Sequence, residues 1–279
     1  MVQRLKLTVE YDGSRFQGWQ RQDDVPSVQA VLEEAVAAFD SRPEGDKSIL
    51  VYGAGRTDAG VHAYGQVAHV DIYRDMTAYA FMGAMNHFLT DSGVSILACE
   101  AVPEAFHARF SAVKRHYIYR ILNRVGPPAV EQSRVWHVRT PLDAAAMHQA
   151  AQHLVGHHDF TTFRHVHCQS ESPVKTLDYL DVTRSGPYIE VRTGARSFLH
   201  NQVRSMVGTI KLVGQGRWTA ADVKAALEAC DRQRLGYNAP PDGLYLSEVT
   251  YPDMDEIIKM AARQKETQAH PAASDDTDA

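Results

Sequence analysis

Cysteine is scarce in this sequence, and long hydrophobic runs are missing. The three cysteines, Cys99, Cys168 and Cys230, are odd in number and far apart, which fits neither a disulfide framework nor a cysteine-built zinc site. No apolar run reaches the roughly eighteen residues of a membrane span, and the charged start Met1–Lys6 is unlike a signal peptide. We therefore expect a soluble, cytoplasmic protein with reduced cysteines and no membrane association.

Several motifs that bind nucleotides or present a catalytic serine are also missing. The sequence has no P-loop, no dinucleotide-binding fingerprint and no Gly-x-Ser-x-Gly elbow. Histidines are frequent between His153 and Cys168, and His153 and His157 stand four apart, a spacing that can bind zinc on a helix. Gly156 is expected to end that helix first, and no glutamate stands as in a helical zinc protease. A metal-dependent hydrolase is thus a minor alternative, and we expect no metal site.

Charge is distributed unevenly along the chain. The formal charge is -5, but the last fourteen residues contain four acidic residues and no Lys or Arg. This end has no apolar periodicity, so residues 264–279 are predicted to form an acidic, disordered tail. The stretch from 106 to 124, in contrast, has five basic residues and no Asp or Glu: Arg109, Lys114, Arg115, Arg120 and Arg124. Such a local basic stretch favours a nucleic-acid partner.

Hydrophobic periodicity predicts an α+β fold. The first half has the order strand, helix, strand, strand, helix, strand, near 5–11, 28–39, 49–52, 68–73, 77–89 and 94–101. This is the order of a ferredoxin-like split βαβ unit. The second half repeats it with one extra helix, near 112–122, 143–155, 174–183, 188–193, 199–213, 220–229 and 244–251. We expect two ferredoxin-like or RRM-like domains, 1–105 and 106–263, whose antiparallel or mixed sheets join across a central cleft.

The stretch Val51–His62 runs from a strand pattern into a glycine-rich loop with one carboxylate, Asp58. Its glycines allow the backbone to lie close against a ligand. Arg56 can bind a phosphate or a carboxylate through a planar fork of donors. The loop is therefore a candidate reactive or anion-binding site. The alternative is a tight connection in which Asp58 caps its own turn.

The predicted helix 199–213 has a basic stripe beside its apolar face. His200, Arg204 and Lys211 recur at spacings of four and seven. The stripe is either a solvated surface or a wall of the cleft. In the second case Arg204 pairs with Asp58 and favours the ionised carboxylate that a nucleophile must be.

Six segments together resemble the tRNA pseudouridine synthase A family. They are Tyr11–Gln20, Gly53–Ala63, Phe106–Ala112, Asp159–Arg164, Phe198–Gly208 and Gly243–Leu246. Any one of them is a weak signal, whereas six in this order and at compatible spacings are specific. The resemblance covers about residues 4 to 252.

The resemblance implies isomerisation of uridine to pseudouridine at positions thirty-eight, thirty-nine and forty of the tRNA anticodon stem-loop, without metal or organic cofactor. Asp58 would be the nucleophile, attacking either the ribose or the uracil ring, since a covalent adduct divides one difficult exchange into two easier steps. Tyr117 would contact the target base and take part in removing the proton from carbon five. Arg204 would pair with Asp58, and Arg56 would hold the flipped nucleotide or its phosphate.

The resemblance also implies a homodimer whose joint surface carries the tRNA. The candidate phosphate contacts are Arg109, Lys114, Arg115 and Arg120, although only alternate residues of a strand can face the RNA. For Tyr117 the alternative is a strand tyrosine buried for packing. The rival function is a noncatalytic RNA-binding protein of RRM-like fold, which would not need Asp58 in a glycine-rich loop opposite Arg204.

Overall fold

The computed structural model describes residues 2–40 and 49–269, with side chains up to Arg263. Its strands are β1 Gln3–Tyr11, β2 Tyr52–Gly53, β3 His62–Ile72, β4 Val94–Val102, β5 Lys114–Asn123, β6 Trp136–Val138, β7 Gly156–Asp159, β8 Val174–Ser185, β9 Tyr188–Ala195 and β10 Leu244–Thr250. Its helices are α1 Val28–Ala37, α2 Ala78–Phe88, α3 Ala144–Ala151, α4 Gln202–Gly214, α5 Ala220–Glu228 and α6 Met254–Ala269.

The ten strands of the described residues form one mixed sheet in the order β4-β1-β3-β10-β5-β9-β8-β7, with β2 on β3 and β6 on β5. β10 lies at the junction of the two halves. It runs parallel to β3, where Tyr245 pairs with His62, and antiparallel to β5, where Leu246 pairs with Tyr117. The predicted α+β class is confirmed, and the last strand joins the two halves into a continuous sheet.

Local sequence accounts for where the helices begin. The side chains of Ser27, Thr77, Asp143 and Thr219 each accept a hydrogen bond from a backbone N–H in the first turn of α1, α2, α3 and α5. Such N-caps satisfy donors that the helix itself leaves unpaired. On β1, Leu5, Leu7 and Val9 alternate with less buried neighbours, as a strand with one covered face requires.

Two hydrophobic clusters lie along the sheet. The first packs α1 and α2 on the strands of the first half, with Phe81 and Met85 fully buried. The second packs α3, α4 and α5 on β5, β8 and β9, with Met206 fully buried. Tyr117 packs against both clusters. Phe106 belongs to the first cluster, so the segment just after the predicted boundary at 105 and 106 packs with the first half; the boundary itself stays a prediction.

Some elements differ from the prediction. β3 begins at His62 rather than near 68, because Ala63 and Gly65 in its first half are weak strand formers and give little apolar signal. The short strands β6 and β7 were not predicted. α6 was not predicted either, and it continues to Ala269, into the segment expected to be disordered; residues 270–279 of that predicted tail lie outside the described residues. No helix in the described part of the chain is long and apolar enough to cross a membrane.

Candidate active site

The loop between β2 and β3 carries Asp58 and packs against the segment that follows β1. The backbone N–H of Trp19 donates to the carbonyl of Thr57 at 3.1 Å, and the hydroxyl groups of Tyr11 and Thr57 are 2.8 Å apart. Gly18 has φ +105°, and a Cβ there would stand 2.6 Å from the Thr57 carbonyl oxygen. Only glycine allows this close approach. The segment Tyr11–Gln20, the first of the six that carry the family resemblance, therefore packs against the Asp58 loop and holds it in place.

The Asp58 carboxylate is held by residues of the second half. Arg204 Nη1 donates to Asp58 Oδ2 at 3.1 Å, and His200 Nε2 lies 3.3 Å from Asp58 Oδ1. Arg204 is itself fixed, because its Nε donates to the Ala239 carbonyl at 2.8 Å and its Nη1 also donates to Asn201 Oδ1 at 3.0 Å. No described backbone N–H of the loop donates to this carboxylate. The carboxylate is thus directed across the junction and does not cap its own turn.

The electrostatics of the site favour an ionised Asp58. Burial raises the pKa of this carboxyl group, but the hydrogen bonds and charges of His200 and Arg204 outweigh burial and bring its pKa below the usual value. The pKa of His200 is raised in turn, chiefly by its hydrogen bond to Asp58. Asp58 is therefore a carboxylate at neutral pH and keeps 24% of its side chain exposed, which leaves it accessible to a ligand.

Tyr117 lies on β5, on the sheet face that carries Leu246 of the neighbouring β10. Its ring meets the ring of Phe198 edge-on at 5.2 Å. Burial, with the nearby charge of Asp58, raises the pKa of Tyr117 to about 12. The phenol therefore stays protonated at neutral pH, within range of the charge of Asp58. Its packing against both clusters fits the burial alternative as well as the predicted contact with a base.

Arg56 is exposed, and its Nη1 donates to Gln169 Oε1 at 2.8 Å. Gln169 belongs to the stretch between β7 and β8, so this bond links the Asp58 loop to the second half. Arg56 lies in the same loop as Asp58 without contacting its carboxylate. One weak partner on an exposed side chain leaves the guanidinium free to exchange for a ligand.

The four basic residues of the central stretch do not share one surface. Lys114 and Arg120 lie on one face of β5 and Arg115 on the other, because side chains alternate along a strand. Lys114 pairs with Asp178 at 2.8 Å, and Arg120 pairs with Glu131 at 2.7 Å.

The guanidinium of Arg115 forms hydrogen bonds within the protein. Its Nη2 donates to the carbonyls of Ala54 at 2.8 Å and Arg109 at 2.7 Å, and its Nη1 donates to the carbonyl of Arg196 at 2.8 Å. Arg109 is exposed and lies 5.7 Å from the ring of Phe110, and its guanidinium has no acceptor among the described residues. Of these two, only Arg109 offers free donors to a phosphate.

His200 is the site residue that sequence reasoning placed on a helix without assigning it a partner. It precedes α4, whose N-cap Asn201 is in the left-handed conformation with φ 64°. Lys211, predicted on the same stripe, instead lies over the rings of Trp136 and Tyr237, at 5.3 and 5.6 Å. Arg204 thus pairs with Asp58 as the cleft-wall alternative expects, whereas Lys211 packs on two aromatic rings and does not contact Asp58.

Part of the histidine-rich stretch adjoins the site. The ring of His165 lies 4.5 Å from that of His200, and the backbone N–H of His165 donates to the carbonyl of His200 at 2.9 Å. The helix does end before Gly156, which has φ +116°. Within the described ranges, no three His, Cys, Asp or Glu side chains come together in a group that could hold a metal ion.

Comparison with known proteins identifies the family. A family model described as tRNA pseudouridine synthase matches residues 7–111 and 150–252. A tRNA pseudouridine synthase A of Allorhizobium ampelinum is 58% identical over 251 residues, covering 89% of this chain and 95% of that protein. Those of Rhizobium meliloti and Zymomonas mobilis are 56% and 54% identical over 250 residues, covering 89% and 90% of this chain and 99% and 100% of those proteins.

A solved Cbf5-Nop10-Gar1 complex aligns with 95% of this chain and 57% of its own chain at 10% identity, with a TM-score of 0.33. That similarity is too low to support a shared fold. The family match and the relatives, in contrast, extend over most of the chain at high identity. The chain belongs to the tRNA pseudouridine synthase A family of isomerases.

Proposed function

We propose that this enzyme isomerises uridine to pseudouridine in tRNA at positions thirty-eight, thirty-nine and forty of the anticodon stem-loop, with Asp58 as the nucleophile. The observation that carries the proposal is the ionised Asp58 carboxylate, held between Arg204 and His200 at the junction of the two halves. A noncatalytic RNA-binding protein would not require such a carboxylate, because its negative charge repels phosphate. The proposed reaction, in contrast, requires an ionised carboxylate as the nucleophile.

The reaction balances within the substrate. The bond between carbon one of the ribose and nitrogen one of uracil breaks, and a bond from the same ribose carbon to carbon five forms. Carbon five loses a proton and nitrogen one gains one, so no oxidant, reductant or group donor is consumed. Attack by Asp58 on the ribose or on the ring gives a covalent ester, and resolution of that ester regenerates the carboxylate.

Arg204 supports this role by fixing the position of the nucleophile. Its guanidinium is anchored on Ala239 and Asn201, so the carboxylate meets a donor that cannot follow it if it rotates. Preorganised donors lose little on reaction because they do not have to reorient. We assign Arg204 to the orientation and ionisation of Asp58.

Tyr117 is proposed to contact the target base. With a pKa of about 12 its hydroxyl is protonated at neutral pH, so Tyr117 is not a phenolate that could accept the proton of carbon five directly. It can take that proton only if its own proton leaves in the same step. An aromatic ring within range of the Asp58 charge is, by contrast, well suited to packing against an extruded base.

The basic residues proposed to contact RNA differ in whether they already have partners within the protein. Arg56 and Arg109 are exposed, and Phe110 beside Arg109 is 60% exposed, a combination that suits a phosphate and an unstacked base. Lys114 and Arg120 must first release their carboxylate partners. Arg115 is occupied by backbone carbonyls. We therefore rank Arg56 and Arg109 first among the phosphate contacts.

The homodimer and the cytoplasmic location implied by the family resemblance are part of this proposal. Sedimentation equilibrium of the full chain tests the first, and a mass equal to one chain at micromolar concentration contradicts it. Fractionation of cells that express the chain tests the second.

The deciding experiment measures tritium release from uridine labelled at carbon five in unmodified tRNA, with chelator present. The natural chain should release tritium, and Asp58→Asn should release none above background while binding tRNA with similar affinity. Asp181→Asn, at an exposed position of β8, is the matched control and should behave as the natural chain. Release by Asp58→Asn at the natural rate contradicts the nucleophile. Binding without release by any variant favours the noncatalytic alternative. Mapping on tRNAs with a single uridine in the stem-loop tests the three positions.

A further inference from the structure

His200 reaches Asp58 from a turn that the preceding and following residues hold in place. Asn201 adopts a left-handed conformation, with φ 64°, directly after it. The Asn201 side chain then accepts a hydrogen bond from Arg204 Nη1 at 3.0 Å. This arrangement brings His200 and Arg204 to different oxygens of one carboxylate, at 3.3 and 3.1 Å. The two contacts together define the rotation of the Asp58 side chain.

His165 holds the other side of His200. Its backbone N–H donates to the His200 carbonyl at 2.9 Å, and the two imidazole rings lie 4.5 Å apart at 39°. The ring of His167 follows at 5.4 Å from that of His165. His200 is therefore supported through both its backbone and its ring, and the contact with Asp58 does not depend on a freely rotating side chain.

We propose that His200 is a positioning residue for Asp58: its Nε2–H donates to Asp58 Oδ1, orients the carboxylate for attack, and through its protonation state sets how readily that carboxylate gives up its charge. The inference rests on the proposed function, in which Asp58 is the nucleophile. Both the imidazolium and one neutral tautomer carry a hydrogen on Nε2, so the orienting bond persists across titration.

The charged and titratable groups near His200 are Asp58 from the glycine-rich loop, Arg204 from α4 and His165 from the stretch after β7. His167 and Arg232 act in turn on His165. Formation of an ester turns the carboxylate into a neutral group and removes the counter-charge of the imidazolium. A protonated His200 therefore opposes the adduct, and a neutral His200 does not. The rate of adduct formation rises with pH through the pKa of His200, which Asp58 holds above the ordinary value.

The test compares His200→Ala and His200→Gln in tritium release across pH. Loss of a hydrogen bond to a charged group typically costs about ten-fold or more, so His200→Ala should lower kcat by about ten-fold with KM nearly unchanged. Glutamine supplies an uncharged N–H near the same place. His200→Gln should keep kcat within about three-fold of the natural plateau and lose its rise with pH. His157→Gln, at an exposed position of β7, is the control and should keep both.

Two outcomes overturn the proposal. One is a His200→Ala enzyme with the natural kcat and pH profile; the other is a His200→Gln enzyme as slow as His200→Ala. NMR titration of the His200 ring in the free protein supplies a readout that needs no activity. Asp58→Asn should lower the pKa of His200, and an unchanged titration also overturns the proposal. If the natural chain forms no pseudouridine, the proposed function fails, whereas the titration still decides whether the His200 and Asp58 pair exists.

Discussion

Arg204 and Asp58 lie 146 positions apart in the chain, yet Arg204 Nη1 stands 3.1 Å from Asp58 Oδ2. The arginine comes from α4 and the aspartate from the loop before β3, so each half of the sheet supplies one member of the pair. The same guanidinium also binds Ala239, just before β10. The site therefore exists only when both halves and the last strand are in place.

Replacing Arg204 with lysine tests geometry apart from charge. Lysine keeps the cation but cannot reach Asp58, Asn201 and Ala239 together through a planar fork. We expect kcat for tritium release to fall by about ten- to a hundred-fold, since a charge-assisted hydrogen bond contributes about 1.5–3 kcal/mol. tRNA affinity should change little. Arg192→Lys, at an exposed β9 position paired with Glu190, is the control. A natural kcat in Arg204→Lys would show that charge alone suffices.

Arg115 and Arg109 should respond differently to removal. Arg115→Ala leaves several carbonyls without their donor, so we expect the free energy of unfolding to fall by about 2 kcal/mol in urea denaturation. Arg109→Ala should leave stability within about 0.5 kcal/mol and reduce the slope of log affinity for tRNA against log salt by about one. A reduced slope for Arg115→Ala with unchanged stability would instead make Arg115 a phosphate contact.

Gly18→Ala should disturb the Asp58 loop. The added Cβ meets the Thr57 carbonyl oxygen at 2.6 Å, and φ is +105°, so strain and collision act together. We expect a loss of about 2 kcal/mol or more in stability and at least about a ten-fold drop in kcat. Gly186→Ala is matched to it, because Gly186 has φ +55° and open space around its Cβ position. That variant should lose about 1 kcal/mol and keep kcat. Equal kcat in both variants would contradict the role of the close approach.

Stability between pH 4 and pH 2 should depend on Asp12. Burial raises the pKa of Asp12, but hydrogen bonds from Ser14 and Arg134 outweigh it and bring its pKa to about 2. A pKa lowered by folding means that ionised Asp12 stabilises the protein above the ordinary value of 3.8, and that this contribution disappears as pH falls towards about 2.

The Asp12→Asn protein is the comparison that isolates this group. At neutral pH it should be less stable than the natural chain, by up to about 2 kcal/mol. Chemical denaturation at several pH values should show the two stabilities converging as pH falls from about 4 to about 2. A difference that stays constant over this range would mean that Asp12 stabilises the fold through packing alone.

The local parts of the site were predictable from sequence, because spacing alone carries them. The strand pattern followed by glycines predicts that Asp58 lies in a loop after a strand, and the apolar periodicity from residue 199 predicts that Arg204 lies on a helix. The contact of His200 with Asp58 was not predicted, because it depends on the left-handed Asn201, which a helical pattern does not reveal. The contact of Lys211 with Trp136 and Tyr237 could not be predicted either, because spacing along one helix does not show which other segments pack against it.

For the fold, too, local features could be predicted from sequence, whereas features that depend on tertiary contacts could not. β1, α1, α2 and the β8–β9 hairpin follow from alternation, helical spacing and caps. The start of β3 was missed because Ala63 and Gly65 carry little of the apolar signal on which the prediction relied. The use of Arg115 on backbone carbonyls depends on which loops fold near it, and a basic stretch on its own cannot distinguish this from phosphate binding.

The position of β10 sets an order in which the molecule can be completed during synthesis. β3 and β5 leave the ribosome long before residues 244–250, yet these residues fill the gap between them. Until then each half presents an unpaired strand edge, which invites pairing with other chains. A nascent chain therefore has Asp58 early but lacks the assembled site until residues 244–250 have been translated, and up to that point the edges of β3 and β5 stay open to other chains.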